Sequence, residues 1–161
     1  QPCPLPIWIA RQDETWRSPG TAKTLVFVHE RATLSARKER LESATRKRVA
    51  IFHEELTPER GDVEVAEFRR PDGPSILIST EAGGEGRNFQ FCRNLVNFDL
   101  HWNPMRIEQR IGRLDRYGQK RNVHIYNLAA KGTIEERLIE VLTARLNMFE
   151  QTAGALGLFL G

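Results

Sequence analysis

Five short apolar runs punctuate the chain: Thr24–Val28, Val49–Phe52, Ile76–Ile78, Leu95–Phe98 and Val123–Tyr126. Their apolar residues are consecutive rather than alternating, which is the pattern of strands buried on both faces. Stretches of helical period separate most of them, from about Ala32 to Thr45, Glu59 to Arg70 and Met105 to Tyr117. This alternation predicts an α/β three-layer sandwich, with a mainly parallel sheet and helices on both faces. Such sheets carry their sites on the loops beyond the carboxyl ends of the strands. Those loops begin at His29, His53, Ser79, Asp99 and Asn127. A long C-terminal helix is announced by the capping box Thr133-Ile-Glu-Glu136 and by Leu138, Val141, Leu142, Leu146 and Phe149 at helical spacing. Residues 1–21 have no clear period and three early prolines, Pro2, Pro4 and Pro6, and read as an incoming linker with a short helix. The expected organisation is that linker, a lobe over 22–132, and a brace helix with its tail over 133–161.

The segment after the fourth run carries the most chemistry. Asn103-Pro104 supplies an N-cap and a proline at the first helical position, and Gly118 a stop. Ile107, Ile111 and Leu114 form one apolar stripe, while Arg106, Gln109, Arg113 and Arg116 form a second face of donors without an acidic partner at i+4. Two readings fit that face: a solvated basic surface, or rigid arginines aimed at a phosphate.

Composition narrows the choice. A chain of 161 residues with 40% apolar content can bury one good core. A net charge of +3, pI 9.1 and the clusters Arg37-Lys38, Arg46-Lys47-Arg48 and Lys120-Arg121 suit an anionic partner. The two cysteines, Cys3 and Cys92, have no metal or disulfide spacing, so a reducing cytosolic setting is expected. The histidines His29, His53, His101 and His124 likewise lack metal spacing, so structural roles and no metal site are expected. No apolar run approaches the ~18 residues of a membrane span. A start at Gln1 rather than Met reads as a piece of something longer.

Three partial phosphate motifs fail. Gly20-Thr-Ala-Lys23-Thr24 lacks the glycine before its lysine and precedes a strand, where a P-loop follows one. Asp13-Glu14 resembles a Walker B pair but has no strand leading into it. Gly84-Glu-Gly86 has Phe89 where the dinucleotide fingerprint needs its third glycine. The arginines therefore suit a nucleotide for which the chain has no cradle. The loop Ser79–Asn88, with Gly83, Gly84 and Gly86, permits close backbone approach to a ligand and offers two hydroxyls, Ser79 and Thr80.

Taken in order, Thr24–Val28, Ile76–Asn88, Val96–Pro104, Gln109–Gln119 and Ala130–Arg137 resemble motifs IV, V, Va and VI and the downstream helix of the C-terminal RecA-like lobe of superfamily 2 helicases. The words Gly-Gly-Glu-Gly-Arg-Asn-Phe-Gln and Phe-Asp-Leu-His-Trp-Asn-Pro place the resemblance in the Swi/Snf branch, in its bacterial RapA-like group. It implies a RecA-like fold and an ATP-dependent double-stranded DNA translocase whose nucleotide, with Mg²⁺, is held mainly by an N-terminal RecA-like lobe. Arg113 and Arg116 would be arginine fingers, with Gln109 beside the nucleotide. Ser79, Thr80, Gly83, Gly84, His29 and Arg31 would meet the DNA backbone, and Glu85 and Asn88 would couple that contact to the ATP cleft. Arg87, where the usual Swi/Snf word has leucine, would either contact phosphate or pair with Glu85. Trp102 would either pack beneath the cleft or meet DNA, and its place just before a helix cap favours packing. The implied partners are the N-terminal lobe, duplex DNA, and RNA polymerase or another DNA-bound complex, in the bacterial cytoplasm at the nucleoid. An RNA-directed helicase lobe and a non-catalytic RecA-like protein-interaction module are the alternatives.

Overall fold

Five parallel strands run in the order β2-β3-β1-β4-β5. The computed structural model describes residues 9, 11, 12, 22–84, 86–115, 119, 122–129 and 132–153, with backbone alone at 84 and 145–153. The strands are β1 (Thr24–Val28), β2 (Ala50–Phe52), β3 (Ile76–Thr80), β4 (Asn94–Asn97) and β5 (His124–Asn127). Each falls within two residues of an apolar run in the sequence. The connecting helices are α1 (Leu34–Thr45, entered through a 3₁₀ turn at Arg31–Thr33), α2 (Pro58–Arg69), the single turn α3 (Glu81–Gly84), α4 (Pro104–Ile111) and α5 (Ile134–Ala153).

Side-chain alternation along the strands divides the core in two. Leu25, Phe27, Leu77 and Leu95 face Val65 and Phe68 of α2, together with Phe89, Cys92 and Leu114. Val26, Val28, Ile78 and Val96 face Leu34 and Leu41 of α1. Ile9 belongs to this second cluster and is 1% exposed, so the segment read as a linker inserts at least one residue into the core. A third cluster joins Leu100 and Ile107 of the α4 region to Ile139 and Leu142 of α5. This burial seats the brace helix. Helix α2 starts at an N-cap, Thr57, whose side chain accepts from the Arg60 amide, with Pro58 at the first helical position.

The strand order sets the position of the site. The connection leaving β1 runs to one side of the sheet, towards β2, and the one leaving β4 runs to the other, towards β5. Diverging connections open a crevice above the carboxyl ends of β1 and β4, where ligands of open α/β sheets bind. Lys23, the residue of the failed P-loop match, lies at the opposite edge. Its ammonium donates to the carbonyls of Gly73 and Pro74 at 3.2 and 2.9 Å.

Arg110 closes the crevice from beneath. Its side chain is 1% exposed. Nη1 donates to Asn97 Oδ1 at 3.1 Å and to the Asp99 carbonyl at 3.2 Å, and Nη2 donates to Glu81 Oε2 at 3.2 Å. The guanidinium also lies over the Phe27 ring, 5.2 Å from its centroid. One cation therefore ties α4 to the ends of β1, β3 and β4. Asn97 extends the network by donating its amide to Asn127 Oδ1 at 2.7 Å, which adds β5. Burial pulls the Arg110 pKa down and Glu81 opposes that pull, so the charge persists inside the fold.

Helix α4 is shorter than its pattern. It ends at Ile111, with the Gly112 amide donating to the Glu108 and Arg110 carbonyls, and the next residues tighten through Arg113 N to Arg110 O and Leu114 N to Ile111 O. Glycine weakens the helix at that point, and the tighter turn carries Leu114 to complete burial under the sheet. The helix stop read at Gly118 lies outside the described residues.

Gly83 shows the closest backbone approach in the crevice. A Cβ there would stand 2.5 Å from His53 Cα and 2.9 Å from its carbonyl carbon. Two substitutions test these constraints by urea unfolding of the chain. Arg110→Ala takes the shared donor from Asn97, the Asp99 carbonyl and Glu81 and is expected to cost about 3–5 kcal/mol. Gly83→Ala must push the β2 and β3 loops apart and is expected to cost about 1–3 kcal/mol. A loss well below 1 kcal/mol from Arg110→Ala would show that the clamp is not structural.

Candidate nucleotide and nucleic-acid site

The crevice loops are fastened to one another by short polar contacts. The His29 amide donates to Asp99 Oδ2 at 3.0 Å, joining the β1 loop to the β4 loop. Arg37 of α1 reaches the other oxygen of Asp99 at 3.5 Å while its guanidinium stacks on Phe98, 3.5 Å from the ring centroid. Arg31 pairs with Glu55. Thr80 donates its hydroxyl to Glu54 Oε2 at 2.6 Å and accepts from the Gly83 amide at 3.2 Å, which starts α3. The Thr80 hydrogen bond holds the Glu54 carboxyl below its ordinary pKa.

The residues singled out in the sequence, Glu85 and Arg116 apart, can now be placed. His29 and Arg31 are exposed on the β1 loop at the crevice rim. Ser79 and Thr80 stand at the end of β3 and are 0% and 3% exposed. Ser79 donates to the Thr80 carbonyl at 2.8 Å, so both hydroxyls are engaged within the chain rather than turned outward. The glycine loop forms the α3 turn at Gly83 and Gly84 and then a left-handed residue, Gly86, at φ +75. Gly83 uses its lack of a side chain to pass the His53 backbone. Arg87 pairs with Asp62 of α2 and stacks over Phe52 at 5.2 Å, so its acidic partner is Asp62. This pair is solvent-exposed and therefore weak enough to exchange for a phosphate. Glu85 and Arg116 lie outside the described residues.

Arg113 sits half-buried in the turn after α4, with Gln109 exposed one helical turn before it. Its carbonyl accepts the Phe89 amide at 3.1 Å. Asn88, beside Phe89, closes a small loop by accepting the Gln90 amide at 2.9 Å. Gln119 then donates to both the Gln90 and Leu114 carbonyls, at 2.9 and 3.0 Å. The exit of the glycine loop and the Arg113 turn are thus one hydrogen-bonded unit.

Trp102 departs from expectation and is 75% exposed. Asn103 explains it: its amide donates back to His101 Nδ1 at 2.9 Å, and its Oδ1 accepts the Met105 amide at 3.0 Å. The cap turns inward, which leaves Trp102 at the apex of the turn, 5.4 Å from the His101 ring. Met105 is exposed beside it.

Sequence reasoning missed Arg110, Asn97, Asn127 and Glu81. A signal was present. Arg110 stands three residues after Ile107 and four before Leu114, on the apolar stripe, and Asn97 interrupts a run that otherwise reads as a buried strand, while Asn127 directly follows another.

Comparison with known proteins agrees with this geometry. The family model for the helicase conserved C-terminal domain matches residues 12–118. The uncharacterized ATP-dependent helicase YqhH of Bacillus subtilis is 57% identical over 81 residues, which are 50% of this chain and 14% of that protein. The RNA polymerase-associated protein RapA of Vibrio vulnificus is 38% identical over 146 residues, 90% of this chain and 15% of that protein. Among solved structures, the Sulfolobus solfataricus SWI2/SNF2 ATPase core domain superposes with a TM-score of 0.62 at 25% identity, covering 85% of this chain and 28% of that one. The chain spans about a seventh of the length of the curated relatives it matches. It belongs to the helicase conserved C-terminal domain family, as the C-terminal RecA-like lobe of a Swi/Snf-type superfamily 2 ATPase.

Proposed function

We propose that the chain is the C-terminal lobe of an ATP-dependent double-stranded DNA translocase, supplying arginine fingers and DNA backbone contacts to an N-terminal lobe that holds ATP and Mg²⁺. The observation that carries this reading is the hydrogen bond from the Phe89 amide to the Arg113 carbonyl. Through it a displacement of the glycine loop, the DNA-facing element, acts directly on the turn that carries the finger. A solvated basic face would need no such link.

The residues fit an incoming nucleotide without holding it alone. Arg113 presents a planar fork of donors from a turn anchored on both sides, and Gln109 lies exposed next to it. ATP with Mg²⁺, when bound, supplies the phosphoryl group. Arg113 and Arg116 stabilise the charge spread over that group as it transfers, an electrostatic role that requires rigid placement. Asn88, beside Phe89 at the exit of the glycine loop, and Glu85, by its place in the motif, couple the two.

Arg31 and Arg87 offer guanidinium donors and His29 an exposed imidazole to a phosphate backbone, while Gly83 and Gly84 permit its close approach and Ser79 and Thr80 set the shape of the loop from beneath. Contacts of this kind read phosphates rather than bases, so binding should show little sequence preference and a clear salt dependence. The exposed Trp102 adds an apolar group to the same rim. The RapA relatives are RNA polymerase-associated by name, and an RNA polymerase or another DNA-bound complex is the partner proposed here.

Two outcomes are expected. The chain alone hydrolyses no ATP and binds duplex DNA weakly, with Kd on the order of 10⁻⁴–10⁻⁶ M and falling affinity as salt rises; robust turnover by the isolated chain would overturn the two-lobe account. Joined to its N-terminal lobe, the protein hydrolyses ATP faster with duplex DNA than with single-stranded DNA or RNA. Arg113→Ala then lowers the rate by about 10³–10⁵, or about 4–7 kcal/mol, and Arg113→Lys does not restore it. Equal stimulation by all three nucleic acids would sink the duplex-translocase reading.

A further inference from the structure

The fold brings together three residues that no sequence spacing connects. His29 follows β1, Glu81 follows β3 and His101 follows β4, and one potential ligand atom from each lies within 4.8 Å of the others. The two imidazoles meet edge to face with centroids 5.6 Å apart. We propose that His29, Glu81 and His101 bind a divalent transition-metal ion of the Zn²⁺ class. The proposal goes beyond the ATPase reading and does not depend on it.

The donor set selects the metal. Two imidazole nitrogens and one carboxylate oxygen suit Zn²⁺ and its neighbours, whereas Mg²⁺ and Ca²⁺ prefer oxygen throughout. Metal bonds of about 2.0–2.1 Å place tetrahedral ligands about 3.4 Å apart, so side-chain rotation of little more than an ångström closes the site. His29 is exposed, which opens the site to an entering ion and leaves a fourth position for water.

Two of the three ligands are braced from behind, which favours metal binding. The backbone of His29 is held by Asp99 Oδ2 at 3.0 Å. Glu81 keeps Oε2 on Arg110 at 3.2 Å and offers Oε1, whose present partner is the half-exposed Arg106 at 3.8 Å. An entering ion displaces Arg106 to solvent, while Arg110 stays.

Two features limit affinity. The buried Arg110 charge opposes a second cation nearby. The Asn103 amide at His101 Nδ1 places the ring proton on Nε2. Coordination through Nε2 moves that proton to Nδ1 and breaks the hydrogen bond donated by the Asn103 amide, and coordination through Nδ1 puts the metal in that hydrogen bond's place. Either way the His101–Asn103 turn reorganises, so micromolar rather than tighter binding is expected.

The test is titration of the tag-free chain with Co²⁺, read by the visible absorption of the tetrahedral ion, followed by displacement with Zn²⁺. One ion per chain is expected, and His29→Ala and His101→Ala should each weaken binding by at least about tenfold. His124→Ala, an exposed residue of β5, should bind as the wild type does. His29 is exposed and its side chain contributes nothing to the core, so that variant keeps the fold. Absence of saturable binding below millimolar Co²⁺, or wild-type affinity in either the His29 or the His101 variant, overturns the proposal.

Discussion

A buried guanidinium must have its donors satisfied wherever the chain puts them, and in this lobe that requirement organises the functional edge of the sheet. Arg110 is enclosed between the ends of three strands, and its partners are Glu81, Asn97 and the Asp99 carbonyl. Desolvating such a charge is costly, so it persists only because each loop supplies an acceptor. The same acceptors fix the loops. Glu81 starts the turn that carries Gly83 and Gly84, Asp99 holds the His29 amide, and Asn97 hands the network on to Asn127. The crevice is preorganised because its floor is ionic.

That floor also joins the two halves of the candidate site. The glycine loop begins at Glu81, on the Arg110 clamp, and ends at Phe89, on the Arg113 carbonyl. Both anchors belong to α4 or to the turn after it. A ligand that moves the loop therefore works against the same short segment at both ends. The segment is rigid because Ile107 and Leu114 are fully buried on either side of it. Helix, loop and the Arg113 turn form one hydrogen-bonded element seated on the sheet.

Much of this architecture was legible in the sequence. Strands buried on both faces must be apolar on consecutive positions, and all five runs became strands. The Asn103-Pro104 start of α4 and the Thr57-Pro58 start of α2 follow from capping chemistry that acts over three residues. The ordered motifs placed the chain in its family, and the family model agrees. Arg110 escaped because a basic residue between Gln109 and Ile111 looks like part of the donor face, although its spacing puts it on the apolar one. Packing was favoured for Trp102 because it stands just before a helix cap. The inward turn of the Asn103 cap, a local hydrogen-bond choice, exposed it instead.

The sequence by itself determined the strands, the helix starts and the candidate donors, because each depends on neighbours a few positions away. Tertiary structure alone decided which acceptor each donor meets. Ser79 and Thr80 were read as hydroxyls for a ligand, but the end of β3 is enclosed and turns them to the Thr80 carbonyl and Glu54. Arg87 found Asp62 on a helix that comes earlier in the chain. His29, Glu81 and His101 share no spacing, yet parallel pairing of β1 with both β3 and β4 brings their loops to one crevice. Local order follows from local chemistry, whereas the pairing of charges across loops depends on strand order, which no short window of sequence contains.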